Sequence, residues 1–309
     1  MQFRMDLEMI EAEVKEETED GVIVQQAMRP DPERYERVDD GEQKGWFDTH
    51  DDVYISDDTM ADMWEGRDED IPLYYSPDSI DDWDGYISEK YSEIYSIFEQ
   101  EGVILPAEPD HDLLEEYADE QQTIMPFVIM KVDLVGSTEL SMRYNKTLYL
   151  RIIAAFEYLV VDLLRRHNGF FLKREGDGIY GFFPSPDTTG KHDNAALCAL
   201  RIKTIISEVL GLALTENGYR DVDVSIGLDS GHPDIVPDGR ESFDIMGVTM
   251  NLAGKMESAA QSNEIIMGEM TERNLHTTYR DSTREVTDSR EWQFSEGDTR
   301  YSIYSLDSK

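Results

Sequence analysis

Residues 126–138 read PFVIMKVDLVGST. The run from Phe127 to Met130 is continuously apolar, Val132 extends it, and Asp133 closes it, which is the pattern of a buried strand ending on a carboxylate. Leu134-Val135-Gly136 then turns, and Ser137 or Thr138 can cap a helix. That helix is expected to run to about His167, with Leu148, Ile152, Phe156, Leu159 and Leu163 on one broad face and Asn168-Gly169 as its stop. Next, 170–183 (FFLKREGDGIYGFF) reads as two strands about a tight turn at Gly176-Asp177-Gly178. A second helix is expected from about Asp193 to Leu210, with Ile202, Ile205 and Val209 inward, and a further strand from Val222 to Asp229. The order β-α-β-β-α-β is the ferredoxin-like split unit. A helix from Thr249 to Gln261, a strand from Glu264 to Met267 and a β-rich tail ending at Tyr304 extend it. The expected class is therefore α/β (α+β): a ferredoxin-like core with a β-rich C-terminal extension.

The charge divides the chain. Residues 1–120 hold 39 acidic and 8 basic side chains, whereas 121–309 hold 28 and 20. Uniform salt adaptation would spread the acidity, so two regions with different jobs are expected: an acidic arm or regulatory region over 1–120 and an orderly domain over 121–309. The Pro106-Ala107-Glu108-Pro109 stretch marks the change. A net charge of -39 disfavours coating nucleic acid or an anionic membrane. No apolar run reaches the ~18 residues of a membrane span. The first residues lack the basic-then-apolar order of a secretory signal, and the single cysteine, Cys198, cannot form an internal disulfide. A soluble, cytoplasmic protein is expected.

Residues 1–44 carry little hydrophobic periodicity and read as disordered or loosely helical. Between 45 and 100, acidic turns alternate with aromatics such as Trp46, Tyr54, Trp83 and Tyr86, so part of this segment is expected to pack. Ser88 reads as an N-cap, followed by Tyr91, Ile94, Tyr95 and Phe98 at helical spacing and Gly102 as a stop. Two roles fit the region: a sensor or docking element, or an acidic arm that keeps the second region soluble.

Asp133 ends the first strand and Asp177 sits at the hairpin tip. The split topology sets that strand beside the hairpin, so the two carboxylates can converge. Such a pair is costly without a cation, and hard oxygen ligands suit Mg²⁺ or Mn²⁺. The turn from Leu134 to Thr138 offers successive backbone N–H groups to an anion. Carboxylates beside a phosphate cradle point to phosphoryl transfer on a nucleoside triphosphate. Taken singly, Asp133 is equally a helix cap and Asp177 a turn former, so their convergence carries the reading. His167 reads as a helix C-terminal residue, His192 and His232 as loop residues without metal spacing, Cys198 as core, and Gly227 and Gly231 as close-approach glycines.

Four stretches carry a resemblance: Val132 to Ser141, Lys173-Arg174-Glu175-Gly176-Asp177, Val224 to Gly231, and Phe243-Asp244-Ile245-Met246-Gly247 leading into Asn251-Leu252-Ala253-Gly254-Lys255-Met256-Glu257. In this order, over about 124–307, the chain resembles a class III nucleotide cyclase catalytic domain. The resemblance implies two-metal cyclisation of a nucleoside triphosphate, with Mn²⁺ or Mg²⁺ held by Asp133, Asp177 and the Leu134 carbonyl. It implies that the backbone of Val135, Gly136, Ser137 and Thr138 binds phosphate oxygens. It implies a head-to-tail homodimer in which the partner supplies Lys173 and Asp244 to the base, Asn251 to the ribose, and Lys255 to the phosphates. Family members usually have an arginine at the Lys255 position, and lysine keeps the charge without the planar fork. A nucleotide-binding module that has lost catalysis is the alternative this departure leaves. Lys173 with Asp244 follows the adenylate pattern, since guanylate cyclases typically carry Glu and Cys there. The surroundings, including 263–268 (NEIIMG), are similar to the pyrimidine cyclases of anti-phage systems, which make cyclic UMP or cyclic CMP for a separate effector protein.

Overall fold

The computed structural model describes residues 7–18, 21–32, 34–39, 44–49, 53–64, 80, 82–99, 107–110, 114, 127–184, 190–237, 242–296 and 299–307. The chain forms two compact units, 1–75 and 76–309.

In the first unit, β1 (Leu7–Thr18) and β2 (Gly21–Pro30) pair antiparallel, and β3 (Tyr35–Asp39), β4 (Lys44–Asp48) and β5 (Val53–Ser56) form a three-stranded antiparallel sheet. Helix α1 (Asp57–Trp64) follows. This corrects the reading of 1–44 as disordered or helical. The Val22-Ile23-Val24 run is β-branched, and it pairs along β1 despite the surrounding acids. Tyr35 and Ile55 are buried with Trp46 and Met60 against them, and the buried Arg34–Asp48 ion pair (2.7 Å) ties β3's start to β4's end.

The second unit opens with α2 (Trp83–Glu99). It starts five residues before Ser88, because Asp82 accepts from the Gly85 N–H and acts as the cap, while Ser88 Oγ donates to the Asp84 carbonyl from within the helix. The Gly102 stop lies outside the described residues. Tyr86 and Ile94 of α2 enter the main core. Residues 107–110 lie along the sheet, with the Asp110 N–H donating to the Phe171 carbonyl at 2.8 Å. The contact boundary between units therefore falls at Tyr75/Ser76 rather than near 120, because part of the acidic segment buries its aromatics against the later domain.

A seven-stranded mixed sheet forms the centre. It contains β6 (Phe127–Val135), β7 (Phe170–Glu175), β8 (Gly178–Phe183), β9 (Asp223–Gly231), β12 (Glu264–Gly268), β13 (Thr283–Glu285) and β16 (Ile303–Leu306), in the order β13-β16-β12-β9-β6-β8-β7. Between them lie the hairpin β10 (Asp234–Pro237) with β11 (Phe243–Met246), and the short pair β14 (Ser295–Glu296) with β15 (Thr299–Arg300). The run β9-β6-β8-β7 is the expected split unit, antiparallel throughout.

Side chains on β6 alternate between two layers. Val128, Met130, Val132 and Leu134 join the large core with Phe156, Leu159 and Leu163, whereas Phe127 and Ile129 join a smaller one with Tyr180, Phe182, Met250 and Ala253. The expected long helix after β6 is two helices: α3 (Ser137–Arg143) and α4 (Lys146–Arg166). Tyr144 is extended, and Asn145 restarts the helix by accepting from the Leu148 N–H at 3.0 Å. Asn168 adopts a left-handed φ of 56° and, with Gly169, ends α4 as expected. Helix α5 (Gly190–Ile205) continues through a π turn at Ile206–Gly211 into α6 (Leu212–Glu216). His192 sits buried in α5, not in a loop, while Cys198 is core as expected. Helix α7 (Val248–Ala259) covers the smaller core, and α8 (Glu269–Glu272) and α9 (Thr277–Arg280) lead to the tail. Gly227 lets α7 approach: a Cβ there would lie 2.1 Å from the Ala253 carbonyl oxygen. No described helix is long and apolar enough to cross a membrane.

Candidate active site

Antiparallel register brings the two acidic residues together. Val132 pairs with Ile179 and Glu175 with Gly178, so the end of β6 lies beside the Gly176-Asp177 turn. Gly176 has a φ of +68°, a conformation glycine adopts without strain, which permits the two-residue reversal. A Cβ on Gly178 would lie only 2.9 Å from Asp133 Oδ1, so that glycine keeps the turn against the Asp133 carboxyl.

This proximity is electrostatically unfavourable. Burial, then the charges of Asp177 and Glu257, push the Asp133 pKa up to about 7, against the opposing field of Lys131 and a backbone hydrogen bond at Leu134. Asp177 Oδ2 is buried without a hydrogen-bond partner among the described residues. Buried carboxylate oxygens are normally paired. A repelling carboxylate pair with an orphaned oxygen fits a hard divalent cation. The backbone carbonyl of Leu134 lies at the same strand end, as a further hard oxygen. Among the described residues no cluster of three or more His, Cys, Asp or Glu is arranged to hold a metal, so a protein-only cage is not present. The chemistry matches an ion that shares its shell with phosphate oxygens.

Val135 ends β6, Gly136 takes a φ of +80° with no heavy atom within 4 Å of a Cβ placed there, and Ser137 and Thr138 open α3. The turn is an open backbone loop directly after Asp133. Gly136, without a side chain, precedes α3, so the expected Ser137 or Thr138 cap is absent; no side chain caps α3.

Lys173 and Asp244 meet within one chain. Lys173 Nζ donates to Asp244 Oδ1 at 2.8 Å and Oδ2 at 2.7 Å, and Oδ1 also accepts from the Ile245 N–H at 2.8 Å. Asn251 and Lys255, one helical turn apart on α7, are both exposed. Between the two groups lies Tyr180, whose ring has the Lys131 ammonium at 5.2 Å and the Lys173 ammonium at 5.9 Å.

The sequence reading missed four side chains of this site: Lys131, Glu175, Glu257 and Ser225. Lys131 forms ion pairs with Glu175 (2.8 Å) and Glu257 (3.6 Å), and Ser225 Oγ donates to Glu257 Oε1 at 2.7 Å. Lys131 carried one signal: two residues before Asp133 on a strand, it must share Asp133's face. Glu257 follows Lys255 by two residues, but nothing local says that it turns inward. His167 caps α4 as expected; buried there, its Nδ1–H donates to the Leu163 carbonyl at 2.7 Å, and burial lowers its pKa to about 4. His232 is exposed.

Residues 120–307 match the family model described as the adenylate and guanylate cyclase catalytic domain. Among solved structures, the chain is similar to the adenylyl cyclase CyaB from P. aeruginosa, with 16% identity, a TM-score of 0.54, and coverage of 60% of this chain and 95% of that one. It is also similar to the guanylyl cyclase Cya2, with 19% identity, a TM-score of 0.50, and coverage of 59% and 90%. Both likenesses concern the fold. An uncharacterized protein of Mycobacterium tuberculosis is 26% identical over 138 residues, 44% of this chain and 24% of that protein. An uncharacterized protein of Rhizobium meliloti is 25% identical over 142 residues, 45% of this chain and 14% of that protein. The matched segments thus span a quarter or less of those relatives.

Proposed function

Because this chain belongs to the adenylate and guanylate cyclase catalytic-domain family, we propose that it converts a ribonucleoside triphosphate into its 3′,5′-cyclic monophosphate and pyrophosphate. The observation that carries the proposal is the approach of Asp133 to Asp177, with Asp177 Oδ2 buried and without a hydrogen-bond partner among the described residues. Two divalent ions, Mn²⁺ or Mg²⁺, held by Asp133, Asp177 and the Leu134 carbonyl, would supply Lewis acidity toward the 3′-hydroxyl and the phosphates. The backbone N–H groups of Val135, Gly136, Ser137 and Thr138 bind phosphate oxygens and fix the α-phosphorus for in-line attack. The ribose 3′-oxygen forms a bond to that phosphorus, the bond to the bridging oxygen breaks, and the hydroxyl proton passes to water. Asn251 orients the ribose. Lys255 lends its charge to the phosphates as a single ammonium, without the two-pronged geometry of a guanidinium. These residues act across a homodimer, with Lys173, Asp244, Asn251 and Lys255 of one protomer completing the site of Asp133 and Asp177 in the other.

Our reading of the base is a pyrimidine. Lys173 donates to a uracil or cytosine carbonyl as readily as to a purine nitrogen, and Asp244 accepts from uracil N3–H or an exocyclic amine. The product would act as a messenger to a separate effector in anti-phage defence. The second reading is cyclic AMP, favoured by the same Lys173–Asp244 combination. The test is incubation with equal concentrations of the four ribonucleoside triphosphates and Mn²⁺, with products resolved by mass. Cyclic UMP or cyclic CMP supports the pyrimidine reading and cyclic AMP replaces it. No cyclic product from any of the four rejects catalysis and leaves a nucleotide-binding module.

A further inference from the structure

Lys131 is placed to do more than fill the sheet face. Its ammonium contacts Glu175 on the hairpin at 2.8 Å and Glu257 on α7 at 3.6 Å, residues 44 and 126 positions away in sequence. Only 14% of the Lys131 side chain and 8% of Glu257 remain exposed, so both charges are largely removed from water and depend on each other. Glu257 is held from behind by Ser225 Oγ on β9, which is the residue paired with Asp133 across the sheet. Glu175 is the last residue of β7, directly before the Gly176-Asp177 turn. A Cβ on Gly178 would lie 2.9 Å from Asp133 Oδ1 and 3.4 Å from Lys131 Cε, so the turn rests on both side chains at once.

The Glu175–Gly178 backbone pairing closes the turn, and the turn's own side chains add little to it. Gly176 adds no side chain, and Asp177 Oδ2 makes no hydrogen bond among the described residues. The Lys131–Glu175 contact is therefore a side-chain tether between this turn and the sheet floor.

We propose that Lys131 is a positioning residue of the cyclase site: by joining Glu175 to Glu257 it fixes the Gly176-Asp177 turn with the Asp177 carboxylate facing Asp133. The proposal rests on the reading of Asp133 and Asp177 as cation ligands. It makes a claim opposite in sign to a simple field effect. Removing a positive charge beside two carboxylates, with nothing moved, strengthens their hold on a divalent cation. Releasing the turn weakens it.

The experiment is a titration of the full chain with Mn²⁺ alone, free Mn²⁺ being followed by its electron paramagnetic resonance signal. Lys131→Met, Lys131→Arg, Glu175→Gln, the double variant Lys131→Met with Glu175→Gln, and Asp177→Asn are compared with the unaltered protein. Outer partners of metal ligands typically contribute 10–100-fold in affinity, so Lys131→Met is expected to weaken Mn²⁺ binding about tenfold. Lys131→Arg should retain most of the affinity. Glu175→Gln should weaken binding in the same direction, and the double variant should be no weaker than Lys131→Met, which already breaks the contacts to both Glu175 and Glu257. Glu175 is 61% exposed, so its variant folds even if Lys131→Met does not. Binding as tight as or tighter than normal in Lys131→Met, or unchanged in Glu175→Gln, overturns the positioning role while a loss in Asp177→Asn preserves the parent reading. Equal binding by the unaltered protein and Asp177→Asn removes the ligand assignment and this proposal with it.

Discussion

Two halves of one sheet face meet opposite electrostatic conditions. Asp133 and Asp177 stand together with like charge, one carboxyl pushed up to about 7 and the other carrying a buried oxygen without a hydrogen-bond partner among the described residues. Lys173 and Asp244, on the far side of Tyr180, neutralise each other through two hydrogen bonds of 2.8 and 2.7 Å. The first half is incomplete as a protein and gains from a cation. The second is internally paired, and in the proposed enzyme it would exchange that pair for contacts to a base. Binding energy is therefore expected to come mainly from the acidic half, and selectivity from the paired half.

The largest effect should follow from loss of charge in the acidic half. Asp177→Asn keeps size and the turn but removes the ligand charge, and cyclisation should fall by ~3 kcal/mol or more in transition-state stabilisation. Steady-state product formation with Mn²⁺ measures this, and near-normal turnover would break the contrast between the halves.

In the paired half, Lys173→Ala leaves the Asp244 carboxylate without its cation. A decrease in kcat/KM of roughly 10–100-fold is expected, with relaxed choice among the four triphosphates, since an unpaired polar group costs ~1–3 kcal/mol. Unaltered selectivity in a competition assay would remove Lys173 from base reading.

A smaller effect sharpens the geometry. Gly178→Ala puts a Cβ where Asp133 Oδ1 now stands within 2.9 Å. The carboxyl must shift, and kcat/KM should drop by about tenfold, with the melting temperature of the same variant showing how much of that loss is general destabilisation.

The smallest expected signal is a fraction of one proton. With Asp133 near 7, its carboxyl is largely protonated at pH 6, so Mn²⁺ binding at pH 6 should release a proton and at pH 8 should release almost none. Calorimetry in buffers of different ionisation enthalpy reads this directly, and release independent of pH would contradict the shift. The same raised pKa gives the metal-free fold a proton that the unfolded chain lets go near 3.8. Its stability should therefore decline as pH rises from about 4 to about 7, which urea midpoints would show.

Much of this arrangement is legible in the sequence, for a local reason. The apolar run of β6 and the Gly-Asp-Gly turn announce a strand end and a hairpin, and the split topology then forces Asp133 beside Asp177. Lys173 and Asp244 were tied to a common role by resemblance, and they touch. The tether of Lys131 to Glu175 and Glu257 was not legible, because its partners lie on three elements and no periodicity joins them. The break at Tyr144-Asn145 was hidden within a continuous helical pattern, where a single capping side chain outweighs the trend. At the other end of the chain, acidic composition concealed the strands of 7–30, and an early N-cap at Asp82 hid how α2 joins the main core.

In the proposed enzyme the incomplete half and the paired half act on one substrate from opposite protomers. Mixing Asp177→Asn protein with Lys173→Ala protein tests this most directly, once mass measurement confirms that mixed dimers form. Each mixed dimer would hold one intact site and one doubly altered site, so a 1:1 mixture should recover about a quarter of normal activity from two nearly inactive parents. No recovery in a confirmed mixed dimer would contradict the account and place the whole site within one chain.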